Sequence, residues 1–150
     1  MADTTRLIEA VPERSFVEAI GDVDGARVVD LTHDSRDVRP GWAFACVPGE
    51  HHDGHTFAPA ALDAGATLLV VERPLPLAAP QLVVTDVRRT MGLLAAHVHG
   101  HPSAALEVVG ITGTNGKTTT AHLVGSILRA AGREAREIGT LSGARTTPEA

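Results

Sequence analysis

Cysteine, aromatic rings, positive charge and long apolar runs are all scarce in this sequence, and each scarcity removes a class of protein. One cysteine, Cys46, among 150 residues rules out a disulfide within the chain, so stability has to come from a packed core. Aromatic residues make up 3% of the chain and the formal net charge is −5. With little for bases to stack on and no basic surplus to neutralise phosphates, DNA or RNA is not an expected partner. Apolar runs such as LLVV at 68–71 are far too short to span a bilayer. No N-terminal run combines positive charge, an apolar core and a cleavage site. No membrane insertion is expected, and the cytoplasm is the expected compartment.

What is present is an ordinary soluble composition, 43% hydrophobic and 21% charged, enough for one good core or two small ones. Strand and helix signals alternate. ARVVDL (26–31), WAFACV (42–47), TLLVV (67–71) and QLVVT (81–85) read as strands, and TFAPAALDAGA (56–66) as a short helix stopped by Gly65. RPLPLAAP (73–80) is a proline-punctuated connection. Asp86 is placed to cap a helix whose Val87, Met91, Leu94 and Val98 fall on one face. HGHPS (99–103) breaks that helix, and a boundary is expected at about residue 103, separating a domain at 1–103 from another at 104–150.

Beyond the boundary, VVGITGTNGKTTTAHLV (108–124) carries the most specific chemistry. Leu106, Val108, Val109 and Ile111 suit a buried strand; Ala121, Val124, Leu128 and Ala131 mark one face of a helix that Gly132 stops. Between them Gly113 and Gly116 lack Cβ, so the backbone can curl and aim several N–H groups at one centre. The helix, beginning near Thr118, adds its unpaired N–H groups and the positive end of its dipole. Lys117 brings a full charge to where β- and γ-phosphates would lie, and the Thr118 hydroxyl suits Mg²⁺. The strict G-x-x-x-x-G-K-[ST] pattern is not met, because Ile111 stands at the first glycine position. The spacing still points to a nucleoside triphosphate bound at this turn, with Lys117 on the phosphates and Thr118 the metal ligand. The fold class expected is therefore α/β, a small mixed α/β domain followed by the start of a P-loop domain. Only 33 residues follow Lys117, room for the helix, one strand at AREIGTL (135–141) and a polar end. The chain is thus expected to be the front part of a longer enzyme.

GITGTNGKTTT resembles the ATP loop of the Mur ligases, cytoplasmic ATP-dependent amino-acid ligases of peptidoglycan synthesis. LTHDSRDVRPGWAFACVPGEHHDGHTFAPAALDAGAT is similar to their N-terminal uridine-nucleotide domain, and TTPEA at the end resembles a substrate-contacting stretch of the MurE-type branch, which adds the third residue of the stem peptide. The likeness covers roughly 28–150 and rests on the order of its segments. It implies that ATP phosphorylates the terminal carboxylate of UDP-N-acetylmuramoyl-L-alanyl-D-glutamate and that the amine of a diamino acid attacks the acyl phosphate. It implies that Gly113, Thr114, Asn115, Gly116, Lys117, Thr118 and Thr119 bind ATP, with Lys117 and Thr118 catalytic. It implies that His33 and Ser35 contact the uridine diphosphate moiety, that Glu50, His51 and His52 fill the matching glycine loop, and that Arg145, Thr146 and Thr147 hold the sugar-peptide portion. Trp42 stands where the family has aspartate. A further acidic Mg²⁺ ligand, a modified lysine and a C-terminal domain are implied beyond Ala150, so these 150 residues alone are expected not to make amide bonds. Two alternatives stay open: another ligase of the wider superfamily (D-alanyl-D-alanine-adding, cyanophycin or folylpolyglutamate type), and a non-catalytic nucleotide-binding module.

Other clusters have plain readings. His51, His52, Asp53 and His55 read as a polar ligand loop rather than a metal site, since adjacent histidines point apart. His97, His99 and His101 read as a solvated helix end, where at most the outer two share a face. Cys46, inside an apolar strand, reads as a small buried side chain. Ser35 could be only a turn former, and Thr146 and Thr147 only an exposed tail.

Overall fold

The structure, a computed structural model, describes residues 7–50 and 52–139. Residues up to Leu106 form one compact unit, and those from Glu107 onward a second.

In the first unit five strands make one mixed sheet in the order β1-β5-β4-β3-β2: β1 (Phe16–Ile20), β2 (Asp30–Thr32), β3 (Trp42–Ala45), β4 (Leu68–Val71) and β5 (Gln81–Val84). β2 to β5 are mutually parallel, and β1 joins β5 antiparallel at the edge. Because side chains alternate along a strand, the sheet feeds two cores. Ala43, Ala45, Leu68, Val70, Leu82 and Val84 face one side, with Val87 and Leu94 of α2 (Val87–Val98). Phe44, Cys46, Leu69, Val71 and Val83 face the other, with Ala58 and Ala61 of α1 (Ala58–Asp63). Each fully buried Val, Leu or Phe contributes about 1.5–3 kcal/mol, and β4 and β5 are buried along their whole length. These two strands anchor the unit.

The helix ends follow local chemistry. Asp86 caps α2, its side chain accepting the Arg89 N–H at 2.8 Å. Gly65, at φ +101°, turns the chain out of α1, and a Cβ there would lie 2.9 Å from the Pro40 Cα. The connection from β4 to β5 has no helix. The Gln81 amide, 1% exposed, replaces the missing backbone pairing by accepting the Leu75 N–H and donating to the Leu75 and Leu77 carbonyls. Leu75, Leu77 and Ala79 then close over the second core.

Two sequence expectations shift here. The strand expected at 26–31 is shorter and later, Asp30–Thr32, while Val28 packs on the first core. β1 had no place among the expected strands. Its exposure runs half-buried, three exposed, half-buried, so no alternation marks it, and pairing with β5 across a bulge between Phe16 and Glu18 makes it a strand.

Among its described residues the second unit holds one helix, α3 (Lys117–Ala130). Gly132, at φ +75°, ends it: the Gly132 N–H donates to the Arg129 carbonyl and the Arg133 N–H to the Leu128 carbonyl, the paired bonds of a left-handed glycine stop. Ala121, Val124 and Leu128 are half-buried as expected, whereas Ala131 is exposed. Residues 106–111 form no strand, and Val108 stands 74% exposed. Strand geometry requires a neighbouring strand to take its N–H and C=O groups, and none lies beside it among the described residues. For the same reason 135–139, the described part of the expected last strand, is irregular.

Candidate functional site

In the second unit the phosphate-loop residues lie together at the start of α3. Gly116 is the N-cap at φ +76°, and the helix opens at Lys117, one residue earlier than expected. The first helical bond runs from the Thr120 N–H to the Gly116 carbonyl. The N–H groups of Lys117, Thr118 and Thr119 precede the helical ladder and are open to a ligand. Lys117 curls back over the loop, its ammonium donating to the Gly113 carbonyl at 2.5 Å and to the Thr114 carbonyl at 3.4 Å. An ammonium has three donors. Two hold the loop and the third remains for an anion. Residues 112–120 are all exposed, so a triphosphate could reach the loop without any rearrangement of a core. The Thr118 hydroxyl is a hard oxygen donor of the kind Mg²⁺ accepts, one residue from the lysine.

In the first unit the described uridine-side residues lie on two segments, His33 and Ser35 after β2, Glu50 and His52 after β3. β2 to β5 run parallel, so the segments that follow them emerge together at the carboxyl ends, where open α/β sheets bind ligands. After β2, Asp34 builds a tight turn: its Oδ1 accepts the Arg36 N–H at 3.0 Å, and its carbonyl accepts the Asp37 N–H at 3.0 Å. Ser35 lies half-buried inside that turn and His33 exposed beside it. The Arg36 guanidinium, with help from the Arg36 N–H, holds the Asp34 carboxyl well below the usual carboxylate range.

After β3 the chain makes a narrow hairpin. The Gly49 N–H donates to the His52 carbonyl at 3.0 Å, Pro48 pairs with Asp53, and the Gly54 N–H donates to the Val47 carbonyl at 3.1 Å. Glu50 and His52 are exposed at its tip, with the His52 ring edge-on to Phe57 at 6.4 Å. Gly54 is where the two arms touch: a Cβ would lie 2.5 Å from the Val47 carbonyl oxygen.

His55 departs from the polar-loop expectation. It is 4% exposed and locked on both ring nitrogens. Nδ1 lies 2.6 Å from the Asp53 Oδ1, and Nε2 is 3.0 Å from the Glu72 N–H. A backbone N–H can only donate, so Nε2 accepts and the ring proton sits on Nδ1, donated to Asp53. Arg73 takes the other Asp53 oxygen at 2.5 Å. Arg73 first, then the His55 N–H and ring, hold the Asp53 carboxyl well below the usual carboxylate range. The Asp53, His55 and Arg73 group was not legible as a unit, because Arg73 comes from the end of β4, 20 residues along the chain.

The remaining predicted residues divide plainly. His51, Arg145, Thr146 and Thr147 lie outside the described residues. His97 and His101 meet edge to face at 5.9 Å, and the His99 Nε2 lies 3.1 Å from the Asp30 carboxylate. Cys46 is fully buried, and burial pushes its thiol up to about 12. Trp42 carries the Arg39 guanidinium 5.7 Å above its ring.

Comparison with known proteins matches residues 27–101 to the Mur ligase family, catalytic domain, and residues 111–150 to the Mur ligase middle domain. The chain belongs to the Mur ligase family. Among curated Mur ligases, the UDP-N-acetylmuramoyl-L-alanyl-D-glutamate–2,6-diaminopimelate ligase of Listeria monocytogenes serotype 4b is 43% identical over 121 residues, covering 79% of this chain and 25% of that protein. The chain thus spans about a quarter of the length of the curated relatives it matches. Among solved structures, a UDP-N-acetylmuramoyl-L-alanyl-D-glutamate–2,6-diaminopimelate ligase superposes with a TM-score of 0.65 at 28% identity, over 87% of this chain and 26% of the other. The MurF ligase of Thermotoga maritima, solved with ADP, superposes with a TM-score of 0.55 at 30% identity, over 70% and 24%. Among the described residues no helix is long and apolar enough to cross a membrane.

Proposed function

We propose that this Mur ligase chain serves a MurE-type, ATP-dependent ligase of peptidoglycan synthesis in the cytoplasm. The reaction joins a diamino acid to UDP-N-acetylmuramoyl-L-alanyl-D-glutamate through an acyl phosphate. Residues 1–103 act as the uridine-nucleotide domain and 104–150 as the opening of the ATP domain. Gly113 to Thr119 bind ATP. Lys117 and the open N–H groups of 117–119 take the β- and γ-phosphates, and Thr118 supplies an oxygen to Mg²⁺, which would neutralise charge on the transferring phosphoryl group. His33, Ser35, Glu50, His51 and His52 bind the uridine nucleotide, and Arg145, Thr146 and Thr147 the sugar-peptide portion.

The observation that carries this reading is the Lys117 ammonium bonded to the Gly113 and Thr114 carbonyls at the mouth of α3, with the ADP-bound Thermotoga maritima relative in support. Calorimetric titration of the 150-residue chain with Mg·ATP tests it. Lys117→Ala should weaken binding by about tenfold or more, the worth of one charge-assisted hydrogen bond, while leaving the melting temperature unchanged. Equal affinity in the two proteins would overturn the assignment of the loop.

A further inference from the structure

The hairpin that presents Glu50 and His52 is exposed at both of these residues, yet its base is held by bonds from His55, two residues along, and from Arg73, after β4. Asp53 stands at that base, paired with Pro48 across the hairpin. One Asp53 oxygen accepts the His55 backbone N–H at 3.0 Å and the His55 Nδ1–H at 2.6 Å; the other takes Arg73 at 2.5 Å. The His55 ring is itself fixed, because its Nε2 accepts the Glu72 N–H at the end of β4. Glu72 in turn uses its carboxylate to accept the Val87 N–H at 2.9 Å, the first residue of α2. The Arg73 Nη1, 3.4 Å from the His55 Nδ1, faces another donor there and makes a contact without a hydrogen bond. Gly54 lets the hairpin arms close to a distance no Cβ would allow. The three residues Asp53-Gly54-His55 therefore contribute in different ways: a carboxylate at the base, the absence of a side chain at the crossing, and an imidazole that clamps the carboxylate.

We propose that His55 is a positioning residue for nucleotide recognition, acting through Asp53 to aim the 48–53 hairpin whose tip contacts the uridine nucleotide. The proposal rests on the proposed function, in which this edge of the sheet binds a uridine nucleotide. His55 touches no ligand itself. Its functional bond is the one from Nδ1–H to Asp53, which sets the direction of the carboxylate at the base of the hairpin. Losing the bond from Nε2 to the Glu72 N–H costs packing and stability but leaves Asp53 oriented. The two ring nitrogens are separable by substitution. His55→Asn places an amide N–H near Nδ1 and can still donate to Asp53, while His55→Gln reaches the Nε2 position and can accept the Glu72 N–H but takes the side-chain donor of position 55 away from Asp53, leaving it the backbone N–H and Arg73.

The experiment is calorimetric titration of uridine 5′-diphosphate into the 150-residue chain and the two variants, with thermal melting of each. Wild type should bind. His55→Gln should lose about tenfold in affinity, the usual cost of removing a residue that orients a ligand-bearing group, and His55→Asn should recover most of it although both variants melt lower. Asp53→Ala, which removes the acceptor of the His55 Nδ1–H, should also lose affinity and tests the same link should His55→Gln not fold. Wild-type affinity in Asp53→Ala, or parallel losses in His55→Asn and His55→Gln that follow their melting temperatures, would overturn the positioning role. Failure of the wild type to bind uridine diphosphate would instead overturn the nucleotide reading itself, and the positioning role with it.

Discussion

Leu69 and Val109 are the same kind of residue in the two units and have opposite fates. Leu69 lies in β4 between two parallel neighbours and is fully buried; Val109, in a stretch just as apolar, is 65% exposed and belongs to no strand. The difference lies in the availability of partners: a strand is stable only when adjacent strands complete its hydrogen bonds and a second layer covers its side chains. The candidate-site residues divide along the same line. In the first unit Asp53, His55 and Glu72 are tied to residues 15 to 20 positions away, whereas the glycine–lysine turn is organised by its own few residues, with Lys117 bonded to carbonyls three and four positions away.

The largest expected effect breaks this contrast directly. Leu69→Ala should cost about 2–5 kcal/mol, as buried leucine truncations do, while Val109→Ala should stay within about 0.5 kcal/mol, as exposed substitutions do. Urea denaturation of the two variants measures both, and equal losses would mean that the 106–111 stretch is buried in solution.

A smaller effect concerns acid. Folding holds the Asp53 carboxyl below its ordinary value, so the unfolded chain takes up this proton more readily than the folded one. The stabilisation is complete above the ordinary aspartate range and is lost as pH falls below about 4 towards the depressed folded value. Melting temperature measured from neutral to acid pH should fall less steeply in this window for Asp53→Asn than for wild type. Identical slopes would show that the Arg73 and His55 contacts do not persist in solution.

The smallest effect is kinetic. With its thiol pushed up to about 12 by burial, Cys46 should react with a thiol reagent at about pH 8 only as fast as the chain opens, and at once in denaturant. Immediate labelling of the native protein would mean that the second core is open at β3.

How much could be read in advance follows the range of the interactions. β3, β4, β5, α1 and α2 announced themselves through runs of apolar residues, Gly65 and the Asp86 cap, all local signals. β1 did not, because only two of its five residues are even half-buried and β5 alone defines it. The strand expected at 106–111 carried the right composition without a described neighbour to pair with. At the candidate site, the glycine turn at 113–116 leading into a helix was legible, with the helix start one residue late, whereas His55 was grouped with its neighbours as a polar loop residue and Arg73 was not connected to it at all.

The sequence by itself determined the turn into α3, since glycine at 116, a lysine next to it and a helix start are decided within one or two turns of chain, where φ preferences and helix capping act. It also determined the alternation that makes β3 and β4 two-faced, because side-chain direction in a strand is set residue by residue. Only the tertiary structure decided that His55 is buried with its proton on Nδ1, that Arg73 and His55 share Asp53, and that Gln81 closes the β4–β5 connection. Those bonds join residues that become neighbours only after the parallel strands have aligned their carboxyl ends, and no property of either partner alone specifies the other.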